Sequence, residues 1–319
     1  MNRTLLKRSI DESKWLLFWC SLAIFWFCWI RVWLVSQLLS GDFQEILESL
    51  PIDIERFIAV DFAWLVTYPG RIAMTYDELV VVLCICVWAI SRGSDCVSGE
   101  VGRGTMEMLL AQPVSRLQVL LTNAAVTIVG LVVLAGIAWL GIYVGIYTFS
   151  TTEYVTPAWS FLGYEIPNYL AEKEEHVVSV ASKVSPSLFI HASITLFALG
   201  LMIAGFTTLM SSWDRYRWRT IGLVVGVFIV QVIIKLIGLA AEQTEWMLYL
   251  SVLTAYEPEA VVRVVDQSPG QAWSIFFYEA GVYKSLAPLG YHLILATVGI
   301  VSYLFASIIF CRRDLPAPL

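Results

Sequence analysis

Long apolar runs, broken at intervals by short clusters of charged residues, dominate the pattern along this chain. A helix needs about 20 mostly apolar residues to cross the hydrocarbon core of a bilayer. Six stretches approach or exceed that length: Trp15 to Leu39, Ile72 to Ile90, Leu117 to Phe149, Ser187 to Met210, Ile221 to Ala241 and Leu289 to Cys311. The pattern predicts an all-α polytopic membrane protein, a single transmembrane domain over residues 1–319 with six spans. The second span is the least regular, because Asp77 and Glu78 stand one turn inside it. Its charged end is expected at an interface or an aqueous path.

The segments between spans are not uniform linkers. Phe57 to Tyr68 is apolar around Asp61 and stops at Pro69 and Gly70, the pattern of a short helix lying along the interface. Before the sixth span, Trp246 to Ala255 and Gln271 to Tyr283 are apolar but too short to cross, and Pro258, Pro269 and Gly270 separate them. Interfacial or re-entrant half-helices fit that pattern, as does a folded outer cap.

Charge sets the orientation. Basic residues are retained in cytoplasmic loops. Twelve of them, among them Arg8, Arg92, Arg103, Arg116, Arg217 and Arg313, fall on one side of the predicted spans, against six on the other. Both termini are therefore expected in the cytoplasm. Arg31 and Lys235 lie inside spans, each 16 residues beyond the cytoplasmic start marked by Trp15 and Arg219. That is about 24 Å along a helix, so each stem is expected to reach the outer interface, with a role in the transport path as the alternative. No Ala-x-Ala cleavage site follows the first run, and none of the six cysteines falls in an outer loop.

Composition narrows the class further. Hydrophobic side chains make up 58% and charged ones only 14%, against roughly 25% charged in an average soluble domain. A soluble globule and an intrinsically disordered chain are both excluded. A net charge of -6 with a pI near 5.2 gives no basic footprint for nucleic acid.

The segment Ser91 to Leu121 carries the most information. Gly104 and Thr105 open a short helix, and Glu107 in its first turn suits the positive end of the helix dipole. Met106, Leu109 and Leu110 share one apolar face, and Pro113 closes the helix. Ser115 then offers an N-cap with Gln118 three residues on, and Val114 and Val119 are spaced for a hydrophobic staple. A short amphipathic helix lying across the entrance of a long span is the expected result. Such helices also occur as elements that only rest on headgroups.

This string resembles the loop of ABC-2 type permeases, the membrane subunits of ATP-driven exporters, which reads Ser-Gly-Glu, a few charged residues, Gly-Thr, Glu-x-Leu-Leu and Pro-x-Ser-Arg. Ser98, Gly99, Glu100, Gly104, Thr105, Glu107, Leu109, Leu110, Pro113, Ser115 and Arg116 match in order and spacing. The tail Phe310, Arg312, Arg313, Asp314 and Leu315 is similar to that family's end, whereas Val101 and Gly102 stand where many members carry charge. The resemblance implies a coupling helix seated on an ATPase subunit, with Glu100, Gly104, Thr105, Met106, Glu107, Leu109, Leu110, Pro113, Ser115 and Arg116 as coupling residues. It also implies a second permease copy or a related permease, residence in the bacterial cytoplasmic membrane, and export as the direction of transport. The chain contains no Gly-Lys dipeptide and hence no phosphate-binding loop. ATP and Mg are accordingly expected on a separate nucleotide-binding subunit, with no catalytic, cofactor or metal residue in this chain.

Two other classes remain open from sequence. An intramembrane enzyme or scaffold has little to build on, because His176, His191 and His292 stand outside any zinc or nucleophile motif. Met106 and Met108, two apart, point to different sides of a helix rather than forming a copper site. A secondary transporter would use intramembrane carboxylates, for which Asp77 and Glu78 are the candidates.

Overall fold

The computed structural model describes residues 3–37, 62–155, 158–161, 164–167, 174–279 and 282–313. Among them, six helical segments are long and apolar enough to cross a membrane. Their helices are α1 (Arg3–Gln37), α2 (Leu79–Ser94), α4 (Arg116–Thr148), α5 (Ile190–Trp213), α6 (Arg217–Ala240) and α8 (Pro288–Arg312). Between α2 and α4 lies α3 (Thr105–Leu110), and between α6 and α8 lies α7 (Pro258–Gln267). The first helix begins well before its apolar run, so residues 3–14 extend it by about 18 Å. Both described ends of the chain meet the same region. Arg8 of α1 reaches Glu100, and Arg116 at the start of α4 donates to the carbonyls of Phe310 and Arg313 at the end of α8.

Helix α5 is the axis of the bundle, with buried residues along its whole length. Its Leu196 and Leu199 share one core with Ile85, Leu131, Leu134 and Leu295. Bilayer lipid offers no hydrophobic drive between helices, so close backbone approach and hydrogen bonds hold them together. The α5–α8 seam shows this most clearly. A Cβ on Gly205 would lie 2.3 Å from the carbonyl oxygen of Gly299, so only glycine permits the approach. Trp88 of α2 similarly fills the notch left by Gly130 of α4 and donates from Nε1 to the Thr127 carbonyl at 3.0 Å. In contrast, α6 buries only Thr220, Val224 and Gly238.

Three expectations need correction. The extramembrane segments are not purely helical: β1 (Ser150–Val155) pairs with β4 (Glu174–Ser179), β2 (Ala158–Phe161) with β3 (Tyr164–Pro167), and β5 (Phe276–Glu279) with β6 (Val282–Leu286), all antiparallel. Of the two readings of Gln271 to Tyr283, a half-helix or part of a folded cap, the half-helix does not form: the run enters the last of these hairpins, because aromatic side chains at Phe276, Phe277 and Tyr278 favour a pleated strand. The ordered helix of this region is α7, which Pro258 opens at its first turn and which buries Val261, Val262, Val264 and Val265. Trp246 to Ala255 forms tight 3-10 turns, Glu242–Leu250 and Val252–Ala255. Of the interfacial helix expected from Phe57, residues 57–61 lie outside the described residues, and the chain beyond forms the short helices Phe62–Leu65 and Tyr68–Ala73.

The third correction matters for function. The stretch after the second span, expected as a loop, continues α2 as helix through Gly102. A π-turn at Asp95–Gly99 interrupts it, and a last helical turn follows at Glu100–Gly102. The cause is a serine on another helix. Ser211 of α5 accepts from the amides of Val97 and Ser98 at 3.2 and 2.9 Å and donates to the Ser94 carbonyl at 3.1 Å. A hydroxyl inserted into the backbone ladder widens the helix by one residue.

Candidate functional site

The caps around α3 form as the sequence dictates. Gly104 takes the left-handed conformation, φ 71°, and turns the chain into Thr105. At the other side Ser115 and Gln118 complete a capping box: the Ser115 hydroxyl accepts from the Gln118 amide at 3.2 Å, and the Ser115 amide donates to the Gln118 side chain at 3.2 Å. Six helical residues are thus held between two fixed corners.

The apolar face of α3 points into this chain. Met106 is 2% exposed and joins Cys96, Val97, Leu120, Ala306 and Phe310, while Leu109, 7% exposed, borders a small cavity of about 40 Å³ lined also by Leu5, Cys96 and Val119. Leu110 is half-buried against the same cluster. Turned outward are Glu107, Met108 at 72% exposure, Ala111, Gln112 and Pro113. Met108 was read in sequence only as a packing residue. Its exposure is the surface signal that the i, i+3 spacing of Met106 and Leu109 implies for the residues between them.

Behind α3 stands a charge network. The Glu100 carboxylate accepts from Arg8 Nη2 at 2.9 Å, from Arg103 Nη2 at 2.8 Å and from the Thr105 hydroxyl. Arg103 also donates to Asp95 at 2.7 Å, and Arg217 of α6 meets the same Asp95 oxygen at 3.1 Å. The hydrogen bond to Asp95 holds the Arg103 guanidinium more firmly protonated than usual. Arg92 ties Ser9 of α1 to Asn123 of α4. Glu12, Asp95 and Glu100 bring carboxylate oxygens within 4.8 Å of one another, and arginines already engage each of them.

Sequence reasoning placed Glu100 beside α3 but missed Arg8, Asp95 and Arg217, whose partners are distant in the chain. The Arg116 guanidinium caps the carbonyl end of α8, where Arg313 in turn donates to the carbonyls of Ser212 and Asp214.

A second polar cluster lies at the far end of the bundle. Asp77 follows the turn Met74–Tyr76, and its carboxyl lies against that of Glu259 in the first turn of α7. Lys235 donates to the carbonyls of Leu253 and Tyr256 at 3.2 and 3.1 Å and stands 4.0 Å from Glu257. Burial first, and the Asp77 charge second, push the Glu259 carboxyl up to about 8. Arg31 pairs with Glu78 at 3.2 Å. The two in-span cations therefore end on partners of this chain rather than on headgroups alone.

Two comparisons bear on this architecture. No curated protein matches the chain. A family model described as ABC-2 family transporter protein matches residues 14–315. That match takes in the first membrane-length segment from residue 14, the whole of the other five, the capped helix between the second and third, and the elements before the last. The chain therefore belongs to the ABC-2 transporter family and is an integral membrane component of a transporter.

Proposed function

We propose that this chain is the permease of an ATP-driven exporter of the bacterial cytoplasmic membrane, with α3 as the element that receives the motion of a separate ABC ATPase. ATP and Mg act on that ATPase, and the permease pairs with a second copy or a related permease to complete the pathway. The basic-rich end with α3 and both termini faces the cytoplasm in this reading. The observation that carries it is the division of α3 into two faces: Met106 and Leu109 are bolted into the permease, and Glu107, Met108, Ala111, Gln112 and Pro113 are left open to a partner. A helix fixed on its inner face and at both caps passes on a push that a mobile loop would absorb.

The two faces give opposite expectations. Met108→Asp leaves the purified permease as heat-stable as the parent but abolishes co-purification of the ATPase. Leu109→Asp buries an unpaired carboxylate inside the permease and lowers its own stability by about 3 kcal/mol or more. Affinity purification of the full chain, with ATP hydrolysis measured on the eluted complex, reads both. Retention of a normally active ATPase by Met108→Asp would remove α3 from the coupling role.

A further inference from the structure

The ion pairs joining α1 to the α2 helix sit at both ends of the same two antiparallel helices. At the basic end Arg8 meets Glu100 at 2.9 Å, and at the far end Arg31 meets Glu78 at 3.2 Å. The spacings match: 23 residues separate Arg8 from Arg31 on α1, and 22 separate Glu78 from Glu100 along α2 and its continuation. At 1.5 Å per residue both are about 33–35 Å, a membrane thickness. The lower pair is not free-standing. Glu100 also accepts from Thr105, the first residue of α3, so the helix that faces the partner is linked through one carboxylate to α1. The upper pair borders the outer cluster, because Glu78 follows Asp77, whose carboxyl contacts Glu259 of α7.

From these two rungs of equal spacing we infer that α1 and α2 move as one lever, with Arg8, Glu100, Arg31 and Glu78 as positioning residues that deliver displacement of α3 to the outer cap. Without the upper rung, a push on α3 would bend or slide α2 against α1 and dissipate before reaching Asp77. The lower rung alone fixes only the near end. The packing between the rungs fits a shared motion, since α4 is locked to both helices: Gly141 and Gly145 admit Phe25, Cys28 and Val32 of α1, and Gly130 admits Trp88 of α2. What drives the lever rests on the coupling reading above; that the rungs hold the two helices in register does not.

The upper rung gives the cleaner experiment, because Glu100 serves several donors while Arg31 and Glu78 pair with each other. Hydrogen exchange on the full chain alone in lipid nanodiscs tests the register. Arg31→Glu should raise exchange of amides 30–35 and 79–83 by about tenfold, and the swap Arg31→Glu with Glu78→Arg should restore it. Unchanged exchange, or no restoration by the swap, overturns the lever whatever the chain's partner. In the complex with the co-purifying ATPase, spin labels at the exposed Leu34 of α1 and Leu293 of α8 report movement of the far end on trapping with ATP, Mg and vanadate. Arg31→Glu should keep ATPase binding and hydrolysis but lose at least half of the distance change, and the swap should recover it. A full distance change in Arg31→Glu overturns the lever while leaving the coupling role of α3 intact. Loss of ATPase binding in this variant also overturns it, since Arg31 would then act on partner assembly.

Discussion

The two polar clusters at opposite ends of the bundle differ in how their charges are balanced. Near α3, Glu12, Asp95 and Glu100 face Arg8, Arg103 and Arg217, and each carboxylate has a guanidinium within 3.1 Å. At the far end Asp77, Glu257 and Glu259 gather near Lys235, whose ammonium is spent mainly on backbone carbonyls. One cluster is a lattice of alternating opposite charges that holds its shape. In the other, burial of neighbouring carboxyls favours the protonated form of Glu259.

The strongest way to break the comparison is to uncouple both ends at once. Gly205→Val would force α5 from α8 where their backbones touch, a loss of about 3 kcal/mol or more, read as failure of the solubilised protein to elute as a single folded species. Ser211→Ala comes next and acts on the α3 end alone. It removes the hydroxyl that bonds Val97, Ser98 and Ser94, so thermal stability should fall by about 1–3 kcal/mol while the far cluster is untouched.

Matched neutralisations sharpen the contrast further. Glu100→Gln leaves Arg8 and Arg103 short of a charge partner and should lower the melting temperature. Glu259→Gln replaces a carboxyl that is already protonated at neutral pH and should not. The sign follows from linkage. A carboxyl raised from 4.5 to about 8 binds more protons folded than unfolded between those values, so its contribution is fully present below 4.5, declines as pH rises, and is lost above about 8. The parent should therefore melt a few degrees lower at pH 9 than at pH 5, and Glu259→Gln should flatten that slope. An unchanged slope in the variant would mean that Glu259 is not the titrating group. Least of all should come from Lys14→Ala, since its pair with Asp11 is exposed on both sides; scanning fluorimetry should show no shift.

Local chemistry was legible in the sequence, and partnerships across the fold were not. Gly104, Pro113, Ser115 and Gln118 act within four residues of their targets, and the caps they imply form around α3. The amphipathic face was legible too, but which side would meet a partner was not: hydrophobicity marks Leu109 equally for a groove elsewhere and for the core of its own chain, and only packing shows the latter. The π-turn depends on Ser211, 113 residues from Ser98, and the Arg8–Glu100 pair spans 92. The outer region misled for a different reason. Ten residues with Glu259, Arg263 and Asp266 among valines fall short of a span and look like a separator, although their valines line one side of a buried helix.

Helix α6 joins the two clusters with little between them. Arg217 near its start is bound to Asp95, and Lys235, eighteen residues or about 27 Å further on, is bound beside Glu257. It is a strut held at both ends and mostly exposed along its shaft, apart from Gln231, which bonds Ser251 and Val252. The tilt of such a strut follows whatever lies beside it, and where that is bilayer, acyl-chain length and packing enter its geometry.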